Sequence, residues 1–251
     1  MKKKSESDPK QSIPEVSQDI RMNVIWDKAK SLFYHGKVDE TLESLLPSAN
    51  LRNGLIILVV AGVLAAVLSL VIDIETTYFS SFTYKALSDI TGIAERQSDY
   101  SGVGPFALFV FLFSLPFSIV FSFIQDGVVF YALRLTGGKG TFTSQLYLSS
   151  IVNLSMVMAS GVMFLSPLPC LNLIAFLLYF GLILYFLFIV RSKAYAMVHD
   201  LSYYHVLVVV LAVSVPALVI IYMANGAAAG FFNLPSTYVY NLGDATNTTG
   251  V

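Results

Sequence analysis

Five apolar runs dominate the hydrophobic pattern of the chain: residues 54–74, 105–133, 145–165, 170–190 and 204–224. Each matches the roughly 20 residues that a helix needs to cross a hydrocarbon core of about 30 Å. Lipid offers backbone N–H and C=O groups no partners, so runs of this length predict helices. The second run continues into apolar sequence as far as Leu135 and exceeds one crossing. Ahead of the first run the period changes. Ile25, Ala29, Leu32 and Phe33 share one helical face and Val38, Leu42, Leu45 and Leu46 another, with Gly36 between them and Pro47 as a stop. Residues 22–53 therefore predict two short amphipathic helices. Two placements fit them: on the inner leaflet with Trp26 as anchor and Lys28, Lys30 and Lys37 on the polar side, or packed onto the cytosolic ends of a bundle. Residues 1–21 read as a polar, disordered tail and residues 227–251 as an outer tail.

Charge gives these runs a direction. Nine Lys and Arg precede the first run, two lie in the Arg134–Lys139 turn, and Arg191 and Lys193 follow the fourth run. Only Lys85 and Arg96 separate the first two runs, and none follows the fifth. Basic residues concentrate on the cytosolic side of membrane proteins. Thirteen on one side against two on the other predicts a cytosolic N-terminus and an outside C-terminus, which five crossings satisfy. The expected fold is an all-α membrane protein with five transmembrane helices in a single bundle over residues 54–226. Composition agrees, with 56% hydrophobic and 12% charged residues against about 25% charged in ordinary soluble chains. The polar first twenty residues lack the apolar core of a secretory signal, so the start of the chain is expected to remain cytosolic. A net charge of −1 provides no basic face for nucleic acid. Cys170, the only cysteine, allows no intramolecular disulfide and no cysteine-built metal site.

The stretch "RLTGGKGTFTSQLY", Arg134 to Tyr147, invites comparison with a phosphate-binding loop. The P-loop spacing needs a glycine where Leu133 stands and Ser or Thr where Gly140 stands, between a strand and a helix. None of these holds, so no nucleotide and no other cofactor is expected. Gly137, Gly138 and Gly140 instead permit a tight turn between two helices. Arg134 and Lys139 would then lie at the headgroups, and Thr141 or Thr143 would cap the next helix.

This turn, "LRLTGGKGTFTSQLYLSSI", with the later "AYAMVHDLSYYHVLVVVLAVSVP", resembles the Yip1 domain family over about Ile25 to Asn225, most closely from Tyr131 to Pro216. The resemblance implies five spans, a cytosolic N-terminus and a Gly-Gly-Lys/Arg-Gly-Ser/Thr-like turn after the second span. It also implies a role in membrane organisation or traffic through membrane-protein partners. Eukaryotic members associate with Rab-type GTPases and carry an acidic, leucine-rich stretch like "LLEELGI". Here "ETLESLLPSANL" stands nearest and departs from it, so the resemblance does not carry a GTPase partner over. It points to a prokaryotic-type member in a cell membrane; a eukaryotic one would lie in the endoplasmic reticulum or Golgi.

Polar groups inside apolar runs are costly and ask for a role. Gln125 and Asp126 fall in the second run, Asn153 in the third and Asn172 in the fourth. Asp126 is expected either at the inner headgroups or deep, paired with Arg134 or Lys193. Asn153 and Asn172 are expected to hydrogen-bond between helices. Pro116 and Pro216 fall within the second and fifth runs as potential kinks. "VHDLSYYH" gathers His199, Asp200, Ser202 and His205, but a local cluster is not a triad converging from separate elements. The expected function is therefore non-catalytic. The first reading is partner recruitment or homo-oligomerisation at the cytosolic face, through Arg134, Gly137, Gly138, Lys139, Gly140, Arg191 and Lys193. The alternative is a transporter, channel or lipid-moving protein, which requires Gln125, Asp126, Asn153 and Asn172 to face one another.

Overall fold

A computed structural model describes residues 22–91, 103–165 and 169–231. The tails at 1–21 and 232–251, the latter containing the Asn247-Thr248-Thr249 sequence that matches a glycosylation acceptor, and the Arg96 segment lie outside the described residues. Every regular element among the described residues is helical. In chain order these are α1 (Met22–Ser31), α2 (Val38–Leu45), α3 (Leu51–Thr91), α4 (Val103–Leu135), α5 (Phe142–Ser160), α6 (Pro169–Leu184), α7 (Arg191–His199) and α8 (Tyr203–Phe231). A π-helical segment, Tyr185–Val190, joins α6 to α7 into one rod. Among the described residues three stretches are long and apolar enough to cross a membrane: Leu51–Val71, Phe142–Leu165 and Leu173–His199. They mark the chain as a membrane-associated protein.

The long helices alternate in direction. The end of α4, the end of α7 and the starts of α5 and α8 meet at the glycine turn, and Lys139 N–H donates to His199 O at 3.1 Å. Gly54, near the start of α3, lies against the backbone of Tyr147 on α5. Thus α3, α5 and α8 run away from this turn end, while α4 and α6–α7 run toward it. Central α5 packs against α1, α3, α4, α6 and α7, and every residue from Gln145 to Ser155 is buried. The outer faces of α4 and α8 remain apolar and exposed, with Phe117, Ile124, Val208 and Val219 among the residues they present.

The turn is built from two interlocked helix ends. Gly137 takes φ +100°, Gly138 N–H donates to Leu133 O at 2.9 Å and Gly137 N–H to Arg134 O at 3.2 Å. These are the paired bonds of a Schellman cap. α7 ends likewise, with Asp200 at φ 55° and Leu201 N–H donating to Ala196 O at 3.1 Å. A Cβ on Gly140 would stand 2.5 Å from Val198 O, so close approach of the two caps requires glycine there. Thr141 is the cap of α5, accepting from Ser144 N–H at 3.2 Å.

The amphipathic pair forms, but as a strap along the flank of the bundle. Ile25, Ala29, Leu32, Val38, Leu42 and Leu45 are buried in the shared core. Ser155 donates to Ala29 O at 3.0 Å, Tyr185 donates to Leu32 O at 3.2 Å, and Lys193 meets Asp39 at 2.9 Å. Ser155 lies fourteen residues beyond Thr141, so α1 sits about 21 Å along α5 from the turn rather than at the bundle's end. The fourth run also differs from expectation. Its helix continues through Arg191 to His199 because the following residues find buried partners.

Candidate functional site

Two stripes of polar side chains, each spaced by four, face one another inside the bundle. α5 contributes Gln145, Ser149 and Asn153; α7 contributes Arg191, Tyr195 and His199. All six are buried. Spacing by four keeps side chains on one face of a helix, and the antiparallel run of α5 and α7 brings the stripes together rung by rung.

At the turn end, His199 Nε2 meets Gln145 Oε1 at 2.8 Å, and Gln145 Nε2 donates to the backbone O of Asp126 at 2.8 Å. With the amide nitrogen so committed, Oε1 is the acceptor and His199 carries its proton on Nε2. In the middle, Asp126 enters from α4. Ser149 Oγ donates to its Oδ2 at 2.6 Å and the Tyr195 hydroxyl donates to its Oδ1. At the far rung, Arg191 donates through Nη2 to Asn153 Oδ1 and through Nη1 to Gln125 Oε1 at 3.4 Å. Gln125 Nε2 donates in turn to Ser214 Oγ on α8 at 2.9 Å. The cluster therefore ties α4, α5, α7 and α8 and places one carboxyl and one guanidinium in the same interior, each held by hydrogen bonds to neutral side chains. Asn153 Nδ2, Arg191 Nε, Ser192 Oγ and His199 Nδ1 have no hydrogen-bond partner among the described residues.

Three of the four predicted intramembrane polar residues, Gln125, Asp126 and Asn153, thus share one cluster. Asn172 lies on α6, and its side chain falls outside the described residues. Asp126 is 1% exposed, and its direct partners are Ser149 and Tyr195 rather than Arg134 or Lys193. Arg191, expected beside Lys193 at the surface, is 3% exposed. Because the helix does not end there, positions two apart point to different sides: Arg191 inward, Lys193 out to Asp39. Arg134 and Lys139 are exposed at the turn. Lys139 lies 3.5 Å from Asp200, and Gly138 packs beside His199. Gly138 and Gly140 serve that packing against His199 and Val198, and Gly137 supplies the left-handed residue of the cap.

Gln145, Ser149, Tyr195 and Ser214 were absent from the sequence expectation. The spacing of four shared by Gln145, Ser149 and Asn153, and by Arg191, Tyr195 and His199, is the signal that finds them. The imagined His199–Asp200–Ser202–His205 cluster disperses. His199 is buried, Asp200 turns out to Lys139, and Ser202 Oγ accepts from the backbone N–H of His205 at 3.4 Å. Among the described residues no group of three or more His, Cys, Asp or Glu is placed to hold a metal ion. No protein-family model, curated protein or solved structure matches the chain.

Proposed function

We propose that this chain is a non-catalytic, five-crossing membrane protein with a cytosolic N-terminus, and that it moves an amphiphile of the bilayer through its polar interior. The observation that carries the reading is the convergence of Gln125, Asp126 and Asn153 with the Gln145–Ser149 and Arg191–Tyr195–His199 stripes. From His199, level with Gln145 at the turn end, to Asn153, about 12 Å further along α5, one file of polar groups runs inside apolar helices. Such groups are costly at membrane depth and mark pathways. Five crossings are supported by the alternating helix directions, with α4 of 33 and α8 of 29 residues. The orientation is supported by the basic-residue asymmetry. The bonded rungs hold the file closed, so passage of a head group requires α5 and α7 to part.

The test is reconstitution into vesicles containing a phospholipid with a fluorescent head group, followed by an impermeant reductant. Movement between leaflets lets the reductant consume the inner-leaflet label as well, and Arg191→Gln should slow that phase. Bleaching that stops once the outer leaflet is consumed, with protein shown to be folded and inserted, rejects the reading.

A second reading, recruitment of membrane-protein partners or of further copies at the cytosolic face, is favoured by the ordered strap and by exposed Arg134 and Lys139. The Yip1-type resemblance implies the same role. It is tested by replacing Cys170 with Ala and placing one reporter cysteine at Thr141. A discrete crosslinked adduct in native membranes supports it, and a cysteine that labels freely but captures nothing removes it.

A further inference from the structure

The first strap helix lies across the flank of the bundle at a single depth. Ser155 on α5 donates to Ala29 O at 3.0 Å, and Tyr185 on the α6–α7 rod donates to Leu32 O at 3.2 Å. Ser155 is fourteen residues beyond Thr141 and Tyr185 fourteen before His199, so both anchors stand about 21 Å from the turn end. Ala29 and Leu32 are three residues apart, hence α1 passes sideways from one rod to the other rather than along either. On the crossings proposed above, that depth is mid-membrane. Ser155 is near the centre of the stretch Phe142–Leu165 and Tyr185 near the centre of Leu173–His199, and the centre of a hydrocarbon core lies about 15 Å from either headgroup layer.

Toward the bundle α1 buries Ile25 and Ala29. Outward it presents Asn23, Val24, Asp27 and Lys30, with Tyr34 just beyond its end. The Asp27 and Lys30 side chains are 77% and 54% exposed and stand 3.8 Å apart. Ionisable groups at that depth are costly and turn to protein or water rather than to acyl chains, so lipid is the wrong cover for this face. The order of the charges says what fits. A two-fold axis along the membrane normal keeps two copies in the same orientation and lays their sideways α1 helices antiparallel at one depth. Asp27 of each copy then meets Lys30 of the other. A two-fold interface requires such a self-complementary patch, and the reciprocal pairs cover both charges at once. Tyr34 and Val24, 66% and 46% exposed, supply aromatic and apolar contact beside them.

We infer that α1 is a dimerisation face on which a second copy of this chain packs its own α1 antiparallel, with Asp27 against Lys30 in both directions. This goes beyond the proposed movement of an amphiphile, and it gives the recruitment reading a surface at mid-membrane rather than at the glycine turn. It rests on the proposed crossings. One face of a ten-residue helix is small against the roughly 800 Å² per partner of a standard interface, so association is weak and depends on protein density.

The test uses the full chain with Cys170→Ala and a dye on Thr136→Cys, an exposed position at the turn. Donor- and acceptor-labelled copies are mixed in phospholipid vesicles at a series of protein-to-lipid ratios, and energy transfer is read above that of random proximity. Asp27→Lys makes the stripe wholly basic and Lys30→Glu makes it wholly acidic. Each variant alone should need about tenfold higher density to associate, the shift that about 1.4 kcal/mol produces. Donor-labelled Asp27→Lys mixed with acceptor-labelled Lys30→Glu should recover the parent's density dependence, which a merely misfolded strap would not. Asp27→Asn and Lys30→Gln are the milder replacements if a reversed variant does not accumulate, and each should weaken self-association. A parent that shows only random proximity at every density overturns the interface, as does association that neither reversal weakens. Loss that mixing does not rescue overturns the antiparallel pairing. Association through the glycine turn would survive both reversals, so this surface and the recruitment reading fail separately.

Discussion

Tyr195→Phe removes one oxygen from the centre of the bundle and leaves its volume nearly unchanged. That hydroxyl is one of two donors to Asp126, the other being Ser149 at 2.6 Å. Two magnitudes compete. Hydrogen bonds between membrane helices average about 0.6 kcal/mol, because the separated helices also find partners. Bonds to a charged acceptor are worth about 1.5–3 kcal/mol. Asp126 is 1% exposed, so no water replaces the lost donor, and an ionised carboxylate at that site calls for the larger figure. Unfolding of Tyr195→Phe should then be favoured roughly ten- to 150-fold over the parent, measured by helical circular dichroism as the chain is titrated from mild into denaturing detergent. Ser149→Ala should cost a similar amount. The cost of Tyr195→Phe should fall well below 1.5 kcal/mol when Asp126→Asn removes the charge, which a double-mutant cycle reads directly. A Tyr195→Phe loss of about 0.6 kcal/mol or less, unchanged by Asp126→Asn, would refute the view that a buried carboxylate organises the cluster.

Other perturbations separate packing from charge. Gly140→Ala drives a Cβ to 2.5 Å from Val198 O and should cost about 1–3 kcal/mol. Gly181→Ala, with nothing within 4 Å, should not destabilise in the same titration. Thr141→Ala removes the cap of α5 and should cost about 0.5–2 kcal/mol, with Thr141→Ser restoring most of it. Lys193→Ala breaks a contact whose Asp39 side chain is 63% exposed, so the strap should keep its resistance to limited proteolysis, the loss staying under about 1 kcal/mol. Leu42→Ala, at a site 0% exposed, should cost about 2–5 kcal/mol and open residues 22–50 to protease.

The helices were legible because apolar runs of twenty residues admit little else, and the strap faces because 3.6-residue periodicity survives even in ten residues. The glycine turn was legible as a turn, though not its docking on α7, which depends on residues some sixty positions later. Arg191 shows where local reading fails. A cation after an apolar run looks like a terminus unless its partners are known, and those partners, Gln125 and Asn153, sit on other helices. Ser149 and Gln145 were passed over as ordinary polar residues of a mixed run. Only alignment with Arg191, Tyr195 and His199 makes them a site, and that alignment comes from tertiary packing.

The strap has a consequence for the order in which the protein is made. Asp39 meets a lysine 154 residues later, and Ala29 meets Ser155 across 126. At about 5–20 residues per second, α1 and α2 wait roughly 8–30 s for their seat to be synthesised. During that interval Ile25, Leu32, Leu42 and Leu45 need another apolar surface, and the adjacent leaflet offers one. The leaflet placement that the pattern allows and the flank seat seen in the bundle would then be successive stages, lipid first and bundle second. Ribosome-arrested chains ending before Lys193 should yield the strap to protease where released full-length chains protect it. Equal protection in both would mean that the strap finds its place without its late partners.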